Sequence, residues 1–434
     1  MQIQVVTVAA LLFCCGLIYV VIWNRMSSSY VDHHPTRKPQ FFWGALITPT
    51  VTPLLNLSSG KTTEGASVNR ATLRTSELKH PINITPIPIL YKKKFTKLPK
   101  WDFDEVYMQR SEARRPVCSK SLQNSKDKEF QEAAMWNIQL WLHNGHLNVS
   151  EWNRMAHFNN PYGFMEYNYT DIKRSVDLIP KPKYYQLLPV PSGSTDGCIR
   201  CAVVGTGGIL NGSRMGTEID SHDYVFRVNG AVTKGFEEDV GNKTSVYVHT
   251  SFSLSQSIIG LGKYGFKRIP HDEGIIYVMI PEGLRDFEWL EGLLGKKRMT
   301  YGSYKGYRPF TFYSDRFRED KFYVLHPDFL RYIRTRFLPS KTLETSHWAI
   351  YRPTNGAFTL FLALHTCDIV NAYGFITADH SKYPNYYFHR NTKSRVIFYI
   401  NHDYNVEIKT WKKLHDAGII NLYQRQEKPN PTVT

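Results

Sequence analysis

Short apolar runs alternate with helical stretches through the C-terminal three hundred residues of the chain. The first three runs cover residues 201–204, 224–226 and 275–280, each bounded by turn-forming residues. Two more follow at residues 368–373 and 396–400. Runs of this kind are typical of strands buried on both faces of a mostly parallel sheet. The alternation therefore predicts an α/β domain, a sheet flanked by helices that binds ligands beyond the carboxyl ends of its strands.

A segment with helical periodicity, roughly residues 126–155, precedes these runs. The apolar residues that recur at helical spacing in it are Phe130, Ala134, Ile138, Trp141 and Leu142. This spacing predicts a helix-rich segment whose aromatic side chains belong to the core.

Glycines follow the first apolar run, in the order Gly205, Thr206, Gly207 and Gly208. Glycines after a strand let the backbone approach a phosphate or a sugar closely, but a tight strand-to-helix turn needs them equally. Leu210 stands where the dinucleotide pattern G-x-G-x-x-G requires its third glycine. A nicotinamide-dependent oxidoreductase is therefore disfavoured.

The sequence predicts no metal site. Asp102 and Asp104 form a D-x-D pattern, which holds a metal ion in many transferases, but they do not follow a core strand. Cys198 and Cys201 have the C-x-x-C spacing of redox or zinc sites. Structural disulfides are the favoured alternative for these cysteines if the domain lies in an oxidising compartment.

Residues 5–23 contain no charged side chain. Nineteen such residues approach the length of about 20 that spans a bilayer, whereas the apolar core of a signal peptide is about 7–15 residues long. The length favours an uncleaved anchor. Because small residues follow at 27–29, a cleaved signal peptide is the alternative.

Two features of the sequence predict opposite orientations for this anchor. Arg25, Arg37 and Lys38 follow the segment and no basic residue precedes it, which by the positive-inside rule places the C-terminal part in the cytosol. Six N-x-S/T sequons point to the lumen instead. Their asparagines are Asn56, Asn83, Asn148, Asn168, Asn211 and Asn242.

Most of the net charge of +16 lies in one stretch of the chain. Residues 24–100 carry 12 basic and three acidic side chains together with eight prolines and many Ser and Thr residues. Such a composition indicates an extended stem. Nucleic acid or an anionic surface could bind the dense basic run at 91–97, but a solvated charge run is the favoured interpretation.

Three segments resemble the sequence motifs of the animal sialyltransferases. Residues 201–231 resemble the large motif and residues 352–375 the small motif, while His402 and Glu407 fit the family's H-x4-E pattern. Within the family, residues 207–213 look most like the enzymes that add sialic acid α2,6 to N-acetylgalactosamine (GalNAc). So do residues 326–332 and the ending 422–425.

The resemblance implies a single-pass type II Golgi membrane protein, which overrules the orientation expected from charge. It leads us to expect a cytoplasmic tail at residues 1–4, a transmembrane signal-anchor at 5–23 and a largely disordered stem at 24–115. Residues 116–434 are expected to form the luminal catalytic domain, a Rossmann-like variant of the glycosyltransferase-A fold. The resemblance also implies two disulfides, between Cys201 and Cys367 and between Cys118 and Cys198.

The resemblance implies an inverting transfer of sialic acid from CMP-sialic acid that needs no metal or other cofactor. The implied acceptors are mucin-type glycoproteins with GalNAc O-linked to Ser or Thr, and nucleic acid is not an implied partner. Two alternatives stay open. One is a catalytically weakened Golgi protein that binds CMP-sialic acid or glycoprotein, and the other is a sialyltransferase of another linkage.

His402 is the predicted general base, because imidazole titrates near neutral pH and the run 396–400 places it directly after a strand. The alternative is a histidine that only caps the next helix. Glu407 is expected to orient the loop. The resemblance assigns donor contacts to the glycine loop and to polar residues elsewhere, with backbone N–H groups at the start of a helix holding phosphate or carboxylate. These positions are Gly205, Thr206, Gly207, Asn211, Asn229, Thr354, Asn355, Gly356, Tyr373 and Gly374. The sequon at Asn211 is expected to be unglycosylated for this reason.

Two residues depart from the family pattern. Thr206 stands where an asparagine commonly contacts the nucleotide, and Tyr386 stands where a histidine leads the third motif. A phenol can donate a hydrogen bond to phosphate but supplies no positive charge. His389 or His380 are the candidate replacements. Both departures favour the weakened-enzyme alternative.

Overall fold

The structure is a computed structural model that describes residues 85–114, 116–390, 392 and 394–425. At its centre lies an eight-stranded sheet of order β1-β6-β5-β4-β3-β2-β7-β8. Its strands are β1 (Trp141–Leu142), β2 (Arg200–Val204), β3 (Tyr224–Val228), β4 (Val246–His249), β5 (Ile276–Met279), β6 (Phe322–Leu325), β7 (Ile369–Tyr373) and β8 (Asn421–Leu422). Only β1 pairs antiparallel, with β6. The predicted mostly parallel sheet is confirmed.

The central strands are rich in β-branched and aromatic residues and are buried almost throughout. Helices cover the sheet, and the most apolar of the longer ones, α9, packs against β2, β3, β4 and β7. The helices are α1 (Lys128–Ala133), α2 (Val149–Met155), α3 (Tyr169–Val176), α4 (Gly216–Asp220), α5 (Glu237–Val240), α6 (Ser251–Gly260), α7 (Leu284–Leu294), α8 (Pro327–Arg336), α9 (Asn355–Thr366) and α10 (Tyr404–Asp416). Short 3-10 turns connect several of these elements.

Two disulfides fasten the start of β2 to its surroundings. Cys201, in β2, is joined to Cys367, which ends α9. Cys198, just before β2, is joined to Cys118 in the segment that precedes α1. All four cysteines are buried. These are the two pairs that the family resemblance implies.

The prediction of a strand at residues 396–400 is wrong. This segment is irregular, and its apolar side chains are exposed, with Ile400 at 65%. The described edge of the sheet next to β7 is occupied by β8, so the run has no strand to pair with. A short apolar run by itself does not distinguish a strand from a loop whose side chains face a cavity or solvent.

The helix-rich segment predicted at residues 126–155 contains two short helices, α1 and α2, with strand β1 between them. Helix α1 ends where Ala134 takes an extended conformation, and β1 follows. A turn at Gly145, whose φ is 85°, then leads to Asn148, whose side chain caps α2. The side chains of Phe130, Ile138, Trp141 and Leu142 are nevertheless buried, as the pattern predicts, and Ala134 is half-buried.

Residues 85–114, which the sequence places in the stem, pack against the domain. Leu98 joins a buried apolar cluster with Met165, Leu343 and Trp348. These contacts come from short turns and extended chain, which have no periodicity to mark them in the sequence. The predicted anchor at 5–23 lies outside the described residues. Within the residues described, no helix is both long and apolar enough to cross a bilayer.

Candidate active site

A cavity of about 580 Å³ opens where β2, β3, β4, β5 and β7 end. This edge is where open parallel sheets bind their ligands, and the volume suits a ligand of small-molecule size. Most of the predicted site residues line it. They are Gly205, Thr206, Gly207, Asn229, Thr354, Asn355, Gly356, Gly374, Tyr386, His402 and Glu407.

The glycine loop after β2 lies directly against the end of β7. The Gly205 N–H donates to the Tyr373 carbonyl at 2.8 Å, and the Gly207 N–H donates to the Gly374 carbonyl at 2.9 Å. A Cβ atom on Gly207 would lie only 2.5 Å from that Gly374 oxygen. The glycines are therefore required by packing, and this packing presents the loop backbone to the cavity.

The N-terminus of α9 faces the same cavity. Thr354 caps the helix by accepting from the Ala357 N–H at 3.1 Å, while the N–H groups of Asn355 and Gly356 precede the first intrahelical bond. The Asn355 amide donates to the Asn229 side chain at 2.8 Å, and the buried Asn355 Oδ1 has no partner among the described residues. This arrangement suits an anion with adjacent polar groups.

Glu407 joins α10 to the start of α9. Its carboxylate accepts from the Thr354 N–H at 2.7 Å and from the Thr354 hydroxyl at 2.9 Å. Burial raises the pKa of Glu407 to about 7, against the effect of these hydrogen bonds. Glu407 therefore positions the start of α9, and the loop-orienting role expected for it stays a prediction.

His402 lies at the cavity wall with one ring nitrogen held by the backbone. Its Nδ1 is 2.8 Å from the Arg352 carbonyl, and because a carbonyl only accepts, Nδ1 carries the proton of that bond. Nε2 is then the unprotonated nitrogen, with the Asn401 amide 3.3 Å away. Asp403, not His402, caps α10, accepting from the Val406 N–H at 3.1 Å. The imidazole is thus available as a base.

Burial lowers the pKa of His402 to about 4, with the nearby Arg352 charge acting in the same direction and the carbonyl contact opposing it. The imidazole is neutral at any pH well above that value. It therefore holds the proton-accepting form throughout the near-neutral range.

Tyr386 forms part of the cavity wall through an isolated antiparallel bridge to Gly207. Its ring stacks on Phe388 at 5.0 Å, and burial raises the pKa of the phenol. Of the two candidate replacement histidines, His380 lines the cavity, and its buried Nδ1 has no partner among the residues that the structure describes. His389 instead bonds to a neighbouring serine and does not line the cavity.

Two predicted donor contacts lie elsewhere. The Tyr373 hydroxyl donates to Glu218 at 2.6 Å, at a different depression of the surface. The Asn211 carbonyl accepts from Arg425, and Asn211 does not line the cavity. Neighbouring residues of one motif can therefore face different parts of the surface. Successive side chains of a strand point to opposite faces of the sheet, and a turn after the strand changes the direction of the side chains that follow.

Several cavity residues were not predicted from the sequence. Those of most interest follow β4 or β5 or lie on α10: Thr250, Phe252, Ser253, Gln256, Glu282 and Trp411. Strand β4 was not among the predicted strands, so no site residue was predicted in the loop after it. Completing the strand assignment would have pointed to Thr250, Phe252 and Ser253, because they follow the end of β4. Glu282 instead follows a run that was predicted, and Trp411 lies within α10.

The D-x-D pattern has a structural role here. Asp102 is buried and pairs with Arg334, and the Asp104 carbonyl accepts from Arg331 at 2.7 Å. Neither aspartate lines the cavity. A second group of metal-ligand type, around Asp328, already holds the guanidinium of Arg154 at 2.6 Å.

Known proteins similar to this chain support one assignment. The model of glycosyltransferase family 29 (sialyltransferase) matches residues 141–419. Alpha-N-acetylgalactosaminide alpha-2,6-sialyltransferase 1 of Gallus gallus is 48% identical over 75% of this chain, and the match spans 58% of that relative's length. Alpha-N-acetylgalactosaminide alpha-2,6-sialyltransferase 2 of Mus musculus is 43% identical over 71% of this chain and 82% of its own length.

The fold is also found in a solved structure, "Crystal Structure of a Mammalian Sialyltransferase in complex with Gal-beta-1-3GalNAc-ortho-nitrophenol". That structure has a TM-score of 0.50 and 23% sequence identity, and the match covers 72% of this chain and all of that one. The family match covers more than half of the chain and includes the strands, helices and loops that form the cavity. This chain belongs to glycosyltransferase family 29, the sialyltransferases.

Proposed function

We propose that this chain transfers sialic acid from CMP-sialic acid, in α2,6 linkage and with inversion, to GalNAc O-linked to Ser or Thr of glycoproteins. The family supports the transfer, and the names of the similar relatives support the linkage and the acceptor sugar. The observation that carries the proposal is the position of His402. Its unprotonated Nε2 lies at the same cavity as the glycine loop and the α9 N-terminus.

The donor half of the site stabilises negative charge. As the bond from phosphate to the anomeric carbon breaks, charge accumulates on the departing CMP phosphate. The N–H groups of Asn355 and Gly356 and the α9 dipole are suited to hold that phosphate or the sialic acid carboxylate. Asn229 and Asn355 supply the donors and acceptors that ribose and cytosine need. No step of this proposal is assigned to a metal ion.

His402 removes the proton from the acceptor hydroxyl as that hydroxyl attacks the anomeric carbon from the face opposite CMP. Nε2 takes the proton while Nδ1–H stays on the Arg352 carbonyl, which stabilises the imidazolium. Glu407 acts indirectly, by fixing Thr354 and with it the start of α9.

We propose a luminal domain on a type II Golgi anchor, with residues 5–23 as the membrane segment and a stem after it. Two buried disulfides favour an oxidising compartment. The exposed sequon asparagines Asn148, Asn168 and Asn242 favour the same side of the membrane.

The test uses the full chain in detergent with CMP-sialic acid and a mucin peptide that carries GalNAc on threonine. The expected product carries sialic acid on the GalNAc 6-hydroxyl, established by linkage analysis. Sialylation through another linkage would replace the proposed specificity. Donor binding without transfer to any acceptor would favour the weakened protein that Thr206 and Tyr386 suggest.

A further inference from the structure

The cavity has a second half that the donor contacts leave unused. The residues assigned to the donor lie at the ends of β2, β3 and β7 and at the start of α9. Phe252 and Glu282 also line the cavity, but they follow β4 and β5. Because adjacent strands are about 4.8 Å apart, Glu282 follows a strand that lies about 10 Å from β3.

Glu282 is a buried carboxylate placed between two arginines. Its Oε1 lies 3.0 Å from the Arg352 Nε, and its Oε2 lies 3.6 Å from an Arg285 nitrogen. The Arg352 guanidinium therefore holds the Glu282 carboxylate in an ion pair. Because Glu282 also lines the cavity, its carboxylate can accept a hydrogen bond from a ligand hydroxyl.

Phe252 provides an apolar surface next to this polar pair. It lies near the start of α6, and 47% of its surface is exposed. The Arg285 guanidinium covers one face of the ring, with its carbon 4.4 Å from the ring centroid. An exposed aromatic ring at the wall of a cavity can pack against the apolar face of a sugar.

Arg352 connects these groups to the reacting atoms. Its backbone carbonyl holds Nδ1 of His402, while its guanidinium meets Glu282. A sugar bound between Glu282 and Phe252 therefore lies beside the base and on the side away from the β2–β7 donor contacts.

We propose that Glu282 and Phe252 form the acceptor subsite and recognise an N-acetylhexosamine, an inference that rests on the proposed function. Glu282, held by Arg352, accepts a hydrogen bond from a ring hydroxyl that does not react, and Phe252 packs against the apolar face of the sugar. Glu282 then determines specificity for sugars that carry this non-reacting hydroxyl.

The first experiment measures binding of a GalNAc-threonine peptide to the full chain in detergent, with CMP present, by calorimetry. Glu282→Gln is expected to weaken acceptor binding about tenfold, because a hydrogen bond to a charged acceptor is lost, and to leave CMP affinity within about twofold. Phe252→Ala is expected to act in the same direction. The matched controls are Glu238→Gln, an exposed carboxylate paired with an arginine outside the cavity, and Ile259→Ala, an exposed apolar residue also on α6.

The second experiment uses peptides whose GalNAc lacks the 3-hydroxyl or the 4-hydroxyl. The wild-type chain is expected to bind one of them about tenfold more weakly than the parent peptide, and Glu282→Gln is expected not to discriminate between them. Equal weakening of CMP and acceptor by Glu282→Gln would show a structural role and overturn the inference, as would unchanged acceptor binding. Acceptor binding that depends on Glu282 without any transfer would overturn the proposed function alone.

Discussion

At the scale of single residues, the site depends on the tautomer of one histidine. His402 is fixed by a backbone carbonyl rather than by a carboxylate, so its basic nitrogen is determined by where the chain places Arg352. Burial keeps this imidazole neutral, and Tyr386 brings no charge to the same cavity. Three predictions follow from these properties.

His402→Ala is expected to lower kcat about 100-fold or more, because the proton acceptor for the attacking hydroxyl is lost. CMP affinity should stay near the wild-type value, since the donor contacts assigned here do not include His402. Initial rates and CMP titrations of the full chain measure both. His347→Ala, which removes an exposed histidine away from the cavity, is the control. Turnover near the wild-type rate in His402→Ala would remove His402 from the base role.

The pH profile tests the lowered pKa of His402. Because His402 stays neutral down to about pH 4, its protonation is expected to leave kcat/KM unchanged between pH 7 and 5.5 and to lower it only towards pH 4. An unperturbed imidazole would produce that fall near pH 6.5. Initial rates at low donor and acceptor concentrations across this range give the profile. Because Glu407 also titrates in this range, the profile is repeated in Glu407→Gln, and an acid limb near 6.5 that persists there would contradict the lowered pKa of His402.

Tyr386→His is expected to raise kcat about fivefold, because a charge-assisted hydrogen bond to phosphate is stronger than one from a neutral phenol. Tyr386→Phe, which keeps the ring and removes the hydroxyl, is the matched control and should lower kcat. Steady-state kinetics at saturating donor measure the two variants. An unchanged or slower Tyr386→His enzyme would mean that another group, with His380 the nearest candidate, already assists departure of the phosphate.

At the scale of elements, the site is formed where α9 and α10 meet the ends of the strands. Glu407 reaches from the first turn of α10 to cap the start of α9 a second time, beside the cap that Thr354 provides. The H-x4-E spacing therefore has a structural reason. It puts His402, the proposed base, just before α10 and the Glu407 carboxylate inside that helix, in contact with the start of α9.

The stability of this junction should depend on pH. Glu407 has a pKa of about 7 in the folded chain and about 4.5 when unfolded, so between these values the folded state binds more protons and its stability falls as pH rises. Glu407→Gln removes this dependence. The difference in unfolding free energy, wild type minus Glu407→Gln, should decrease from pH 5 to pH 8 by up to about 3 kcal/mol. Urea unfolding at each pH measures it, and a difference that stays flat would contradict the raised pKa.

At the scale of the whole molecule, the described domain is built on a mostly parallel sheet, and two disulfides fasten the start of β2 to its surroundings. Three exposed sequon asparagines lie on the surface of this domain. Two of them, Asn148 and Asn168, cap helices through Oδ1, which leaves the amide nitrogen free to be modified.

Glycans are expected on Asn148, Asn168 and Asn242 if the domain is luminal. When the chain is expressed through the secretory pathway, an N-glycosidase should then lower its mass. Each variant that removes one sequon should reduce this loss of mass by one glycan. Ser150→Ala is the most informative variant, because it abolishes the sequon at Asn148 and keeps the Asn148 side chain that caps α2. A product whose mass the glycosidase leaves unchanged would contradict the luminal orientation.

The sequence by itself determined the fold class and the family, and most of the site residues predicted from it line the cavity. Buried parallel strands require continuous apolar runs, and a glycine loop after β2 is needed wherever the backbone must approach β7, so these features are local and visible. Tertiary structure decided the rest. Residues 396–400 are as apolar as a strand but have no strand to pair with. Tyr373 does not line the cavity, because its side chain faces the opposite side of the sheet. Glu282 and Phe252 meet at the cavity only because β4 and β5 lie side by side, which no local pattern specifies.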